Sequence, residues 1–143
     1  MTSAVTELFR AAVHGDAEGI DRATSSLDAD GWAGAVRPIL AVFGMAVQRR
    51  FPPDHHRADV IHFVADHRAA GHYDVSADLA ERLILVALGQ AEIDPDLGFE
   101  EVVTPQIAMA VKILRDEKLS EAELDAFLTE ADARVAAWLA AED

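Results

Sequence analysis

The 143-residue sequence contains no cysteine, which excludes disulfide frameworks, thiolate metal sites and cysteine nucleophiles. It also lacks a long apolar run, because the runs Leu83–Leu88 and Val135–Ala141 are far shorter than the ~20 residues of a membrane-spanning helix. The N-terminal residues do not combine a basic stretch with an apolar one, as a secretory signal does. We therefore predict a cytoplasmic protein that does not bind a membrane.

Sequence signatures of catalysis are missing as well. The chain has no glycine-rich phosphate loop, no Gly-x-Ser-x-Gly segment and no His-Glu-x-x-His segment. It also lacks the Glu-x-x-His segments with which two helices of a bundle hold a di-iron centre. The sequence therefore favours a protein without catalytic activity, and no residue is predicted to be catalytic.

Basic residues are scarce, and lysine is the scarcest of them. Ten arginines and two lysines stand against 26 acidic residues, which gives a net charge of −14. Such an excess of negative charge argues against binding to nucleic acid or to anionic lipid. Alanine, by contrast, occurs 28 times, which favours helices. This alanine-rich and lysine-poor usage is typical of high-GC bacterial coding.

Apolar residues recur with helical spacing along almost the whole chain, and no segment has the alternation of a convincing strand. We predict an all-α fold, an orthogonal or bundle-like array of six to seven helices in a single domain with no sheet. The pattern predicts an N-terminal helical hairpin at about 3–26 and helices at about 31–50, 54–70, 76–89, 105–117 and 120–141.

Cap residues and prolines support these boundaries. Ser3, Asp16 and Ser76 are candidate N-caps, and Ser120 with Glu123 forms a capping box. Pro38 predicts a kink or a late start of its helix. Pro105 is expected at the first helical position, after a loop at about 92–104.

Two apolar stripes are predicted to face the core. One lies on the helix at about 105–117 and comprises Ile107, Ala108, Val111 and Leu114. The other, on the last helix, comprises Leu124, Phe127, Leu128, Ala131, Val135, Trp138 and Leu139. The aromatic residues on the long helices fit either a core or a seam between subunits.

Histidine clusters in one segment, with five of the six between residues 55 and 72. At 100° per residue, a narrow stripe of the helix at about 54–70 contains His55, Asp59, His62 and Asp66. Val60, Ile61 and Val64 lie on the opposite, apolar side. The simplest interpretation is a solvated face. The alternative is a site for a divalent transition metal at Asp59, His62 and Asp66, completed by another helix or subunit.

His56 and His67 lie beside the apolar side of the same helix, which predicts partial burial. The segment His67-Arg68-Ala69-Ala70-Gly71 also resembles the active segment of histidine phosphotransfer bundles, with glycine four residues after the histidine. The lysine that usually precedes this glycine is Ala70 here. The resemblance implies a phosphoryl-accepting role for His67.

Charge is uneven along the chain. Residues 92–143 contain 14 acidic and four basic residues, a net charge of −10, whereas residues 49–72 have a net charge of +1. Arg49, Arg50 and Arg57 surround a Pro-Pro turn. The excess charge serves solubility in one interpretation. In the other, these arginines meet an acidic surface of a second copy or of another protein.

Together these features predict a small acidic helical protein that acts as an interaction or regulatory module and self-associates, for example as a homodimer. A metal-binding helical protein is the first alternative. A helical pocket for an apolar small molecule is the second, since helical periodicity does not test for pockets. No cofactor is predicted outside the metal alternative.

Overall fold

The computed structural model describes residues 3–71 and 74–142, and within these ranges it contains helices and no strand. The α-helices are α1 (Ala4–His14), α2 (Ala17–Asp30), α3 (Val36–Arg50), α4 (Arg57–Ala69), α5 (Ala77–Ala87), α6 (Phe99–Asp116) and α7 (Glu121–Glu142). A short 3₁₀ helix, Trp32–Ala35, precedes α3. The all-α prediction is confirmed. None of the described helices combines the length and apolar composition needed to cross a bilayer.

The predicted helix caps are present. The side chains of Ser3, Asp16 and Ser76 accept hydrogen bonds from backbone N–H groups in the first turns of α1, α2 and α5. At α7, the Ser120 hydroxyl accepts from the Glu123 N–H at 3.1 Å, and the Glu123 carboxylate accepts from the Ser120 N–H at 3.0 Å. These bonds satisfy amide donors that a helix start leaves without partners, so they fix where the helices begin.

Two boundaries near α2 and α3 refine the prediction. The expected break of α2 near residues 25–26 is wrong, since α2 continues to Asp30 and buries Ala23 and Leu27. Pro38 is the third residue of α3, which matches a late helix start. In the first turn the missing N–H of proline costs no intrahelical hydrogen bond.

The predicted loop at 92–104 is partly wrong, because α6 begins at Phe99 and Pro105 lies inside the helix. The added first turn contains Glu100 and Glu101, whose charges favour a helix N-terminus. The Glu101 carboxylate also accepts from the Gly98 N–H at 3.3 Å. Val103 and Pro105 are buried, and their burial offsets the hydrogen bond that the proline removes.

The predicted buried face of α6 is also displaced. Of the expected stripe only Leu114 is buried, whereas Ile107, Ala108 and Val111 are half-buried. The fully buried positions instead include Met109, Ala110 and Ile113. Because apolar residues surround most of α6, two stripes with the same spacing compete, and periodicity alone does not choose between them.

The chain forms two compact units, and their boundaries fall within α3 and α6. The first unit comprises the residues up to Val42 and those from Leu114 onward. In it α1 packs against α2 and also contacts α7. The Thr6 hydroxyl donates to the Asp132 carboxylate at 3.1 Å, and Arg10 forms an ion pair with Asp125 at 2.7 Å. Polar contacts therefore connect α1 to α7 beside their apolar contacts. The prediction of a single domain stays a prediction.

The apolar stripe of α7 is buried over only part of its length. Leu124, Phe127, Leu128 and Ala131 are buried, whereas Trp138 and Leu139 are 42% and 47% exposed. The guanidinium of Arg37 lies 5.2 Å from the centre of the Trp138 ring. The first half of the stripe therefore lies in the core, whereas its end is exposed on this chain, where a seam between subunits stays a prediction.

The second unit is Phe43–Ile113, in which α4 packs against α5. Phe51 and Phe63 are buried and meet edge to face, with ring centroids 5.6 Å apart. The His67 ring lies parallel to Phe63 at 6.2 Å. This aromatic row, together with the buried Leu83 and Ile84 of α5, anchors the inner face of α4.

Candidate functional site

The helical stripe proposed for a metal lies on the outer face of α4. His62 and Asp66 are exposed and Asp59 is half-buried, while Val60 and Val64 on the other side are buried. Ile61, predicted to be on the apolar side, is 42% exposed, because it lies at the edge of the apolar arc. The predicted solvated face therefore agrees with the burial pattern.

Asp59 already has a structural partner. Its carboxylate accepts a hydrogen bond from the His56 backbone N–H at 2.9 Å, which caps the start of α4. Across residues 3–71 and 74–142, no three histidine, aspartate or glutamate side chains converge as a metal would require. A metal at Asp59, His62 and Asp66 stays a prediction, with further ligands expected from another helix or subunit.

The histidines beside this stripe have different environments. His56 is exposed at the start of α4, although partial burial was predicted, because it lies before the first helical turn. His67 is completely buried and stacks on Phe63. This burial argues against access of a phosphodonor protein to His67, and the role implied by the phosphotransfer resemblance stays a prediction. His72 lies outside the described residues.

We call Arg49, Arg50 and Arg57 the arginine surface. All three residues are exposed. Arg49 and Arg50 lie in the last turn of α3, where the helix dipole favours cations. The Arg50 guanidinium lies 5.1 Å from the centre of the Phe51 ring and 5.9 Å from that of Phe63. These cation–π contacts hold one charge of the arginine surface in place.

Arg57, unlike Arg49 and Arg50, lies at a helix end where its charge is unfavourable. It is the first residue of α4, where a positive charge opposes the helix dipole at a cost of about 0.3–1 kcal/mol. No ion pair of Arg57 occurs within the described parts of the chain. Its position therefore does not contribute to the stability of the helix, whereas the placement of Arg49 and Arg50 does.

Part of the negative charge of α7 is already neutralised within the first unit. Asp125 pairs with Arg10, and Glu142 pairs with Arg37 at 2.7 Å. Glu130 pairs with Arg134, four residues further along the same helix, at 3.2 Å. These exposed pairs stabilise the fold only weakly. The acidic C-terminal region therefore has structural partners for some of its carboxylates.

The second unit also contains a cleft of about 510 Å³. Its wall is formed by the end of α4, the segment from residue 74 to the start of α5, and the first half of α6. The apolar part of the wall consists of Val75, Leu79, Pro105 and Ala108. The volume lies within the ~300–1,000 Å³ range of small-molecule sites.

The charged groups that line this cleft have one sign. They are the exposed carboxylates of Asp74, Glu100 and Glu101, and no arginine or lysine occurs among the described lining residues. Arg68 lies nearby and donates from Nε to the backbone oxygen of Val75 at 3.0 Å. The cleft therefore combines an apolar wall with a negative rim.

None of the cleft carboxylates was predicted from the sequence as a site residue. Glu100 and Glu101 fell in the predicted loop, so α6 was not expected to bring them to α5. A signal was nevertheless present, because Glu101 is three residues after Gly98, the spacing of a capping box. Asp74 has no comparable signal.

Comparisons with protein-family models, with curated proteins and with solved structures give no match to this chain.

Proposed function

We propose that this chain is a non-enzymatic, cytoplasmic interaction module that self-associates through its arginine surface. The partner surface consists of exposed carboxylates of a second copy. The observation that carries the proposal is the charge placement, with three exposed arginines beside one turn in a chain of net charge −14. Complementary charge of this kind selects the partner and accelerates the encounter.

Arg57 supports an intermolecular role for this surface. A residue that opposes its own helix dipole brings no stability to the isolated chain. Residues that are unfavourable for their own secondary structure are expected at functional positions. A carboxylate from a second copy near the start of α4 would reverse that cost, because it would neutralise Arg57 and also interact favourably with the helix N-terminus.

The test is the association state of the double variant Arg49→Glu/Arg50→Glu, measured by sedimentation velocity together with native mass spectrometry. We expect wild-type protein to form assemblies of the 15.4 kDa chain. Two charge reversals should weaken association at least about tenfold. Raising salt from about 0.01 M to about 1 M shortens the Debye length from ~30 Å to ~3 Å and should weaken the wild-type assembly in the same direction.

The matched control is Arg22→Glu/Arg115→Glu. These arginines are exposed in the first unit, and the variant changes the net charge by the same amount. We expect the control to associate nearly as wild type does, which would separate a local effect from general repulsion. A monomeric wild type, or equal association of wild type and Arg49→Glu/Arg50→Glu, would refute the proposal. Native mass spectrometry would also reveal any metal that a chelator removes.

A further inference from the structure

We propose that the cleft of the second unit binds an organic ammonium ion with an apolar body. The body lies against Val75, Leu79, Pro105 and Ala108, and the ammonium group lies at the negative rim. This binding function goes beyond the proposed self-association and does not depend on it. It rests on the shape and the chemistry of one cleft.

The apolar wall accounts for the body of the ligand. A ligand in the cleft of about 510 Å³ would cover apolar surface of Leu79, Pro105 and Ala108 and would gain from burial of that surface. The wall is set by helix positions and not by a loop alone, since Leu79 belongs to α5 while Pro105 and Ala108 belong to α6.

The rim accounts for the charge of the ligand. Asp74, Glu100 and Glu101 contribute three negative charges, and no arginine or lysine among the described lining residues offsets them. Their fields add at the mouth of the cleft, which attracts cations and repels anions. An inorganic metal ion fits less well, because the described residues include no group of three or more acidic or histidine side chains placed to coordinate one.

The experiment uses three probes with the same naphthalene ring and different charge at neutral pH. They are naphthylmethylamine as the cation, naphthylmethanol as the neutral compound and naphthoic acid as the anion. Titration calorimetry on the full chain gives each Kd, and ¹⁵N chemical-shift mapping gives the location. We expect the amine to bind about 10- to 100-fold more tightly than the alcohol, from about two- to fivefold per carboxylate. The acid should bind most weakly.

Two variants address the two parts of the cleft. Asp74→Asn/Glu100→Gln/Glu101→Gln should reduce the affinity for the amine to that for the alcohol. The amide introduced by Glu101→Gln still has an oxygen that can accept from the Gly98 N–H, so this contact at the start of α6 is retained. The control Glu18→Gln/Asp21→Asn/Asp30→Asn removes three exposed carboxylates that do not line the cleft and should lower the affinity less than about twofold, because the effect of exposed charges on other sites is screened.

Ala108→Leu addresses the apolar part. A leucine on a helix extends over the preceding turn, which here contains the lining residues Thr104 and Pro105. We expect this variant to abolish binding of all three probes, while Ala133→Leu on the exposed face of α7 leaves it unchanged. Circular dichroism checks that both variants are folded.

The proposal is supported if the amine is preferred, if the preference disappears in the cleft carboxylate variant, and if Ala108→Leu blocks binding. Equal Kd values for the three probes would overturn it, as would no detectable binding of the amine. An equal loss of affinity in the control carboxylate variant would overturn it too, because the charge effect would then not be local. So would binding that persists in folded Ala108→Leu.

Discussion

Gly19 of α2 lies against Ala11 of α1, and replacing the glycine with alanine tests this contact. A Cβ atom at residue 19 would stand 2.9 Å from the Cβ of Ala11 and 2.5 Å from Oδ2 of Asp16. The Asp16 side chain can rotate, but it would then weaken its hydrogen bond to the Gly19 N–H, now 3.1 Å long. Ala11 is buried in α1 and can move away only if the two helices separate.

The expected magnitude follows from three opposing terms. Overpacking costs about 1–3 kcal/mol, and loss of the Asp16 cap costs about 0.5–2 kcal/mol. Alanine recovers about 1 kcal/mol through its higher helix propensity. Gly19→Ala should therefore lower the free energy of unfolding by about 2 kcal/mol. At about 3 °C per kcal/mol for a chain of this size, the Tm should fall by about 6 °C.

Gly44→Ala is the matched control for the same chemical change. Gly44 lies in α3, and a Cβ atom there would have no neighbour within 4 Å. Only the propensity term remains, so this variant should be more stable than wild type by about 0.5–1 kcal/mol. Urea denaturation and thermal melting followed by circular dichroism measure both variants. Equal or higher stability of Gly19→Ala would refute the close contact of α1 with α2.

Two further substitutions address polar contacts. Thr6→Val keeps the shape of a buried residue but removes the hydroxyl that donates to Asp132, so we expect the free energy of unfolding from urea denaturation to fall by about 1–2 kcal/mol. Thr6→Ser should retain most of the stability, and unchanged stability of Thr6→Val would contradict the hydrogen bond. Asp59→Ala removes the carboxylate that caps α4 and should lower the free energy of unfolding by about 0.5–1 kcal/mol, whereas Asp59→Asn should lower it less. Metal that is bound by wild type and lost in Asp59→Ala/His62→Ala would instead favour the metal hypothesis.

Local signals in the sequence were sufficient where one residue type has one physical role. Ser3, Asp16 and Ser76 were predicted as caps because a short polar side chain before an apolar stripe satisfies free amide groups. The structure confirms each of them. The same reasoning placed the start of α7 at Ser120 with Glu123. Most helix starts were therefore predictable from the sequence.

The face of a helix that is buried depends on neighbouring helices and was not predictable in this way. In α6, Met109 and Ile113 compete with Ile107 and Val111 for the inner face, and the spacing of the two sets is the same. On α7, the stripe continues to Trp138 even though the buried part ends near Ala131. Periodicity reports which residues share a face, whereas burial requires another element opposite that face.

The two proposed sites also differed in how far they could be predicted from local sequence. The arginine surface was predicted because Arg49, Arg50 and Arg57 are close in sequence. The cleft brings together Asp74 and Glu100, which is 26 residues later in the chain. A site assembled from separate segments leaves no motif in any one of them, so the pocket was predicted without any lining residues.

A last prediction concerns whether the arginine surface of one copy binds the negative cleft of another copy, since their charges are opposite. We expect that it does not. Arg50 is held over Phe51 and Phe63 of its own chain, and it would have to leave both rings to enter a cleft. Saturating amounts of naphthylmethylamine should therefore leave the sedimentation profile of the wild-type protein unchanged. Dissociation of the assembly by the amine, but not by naphthylmethanol, would show instead that arginines of one copy occupy the cleft of the next.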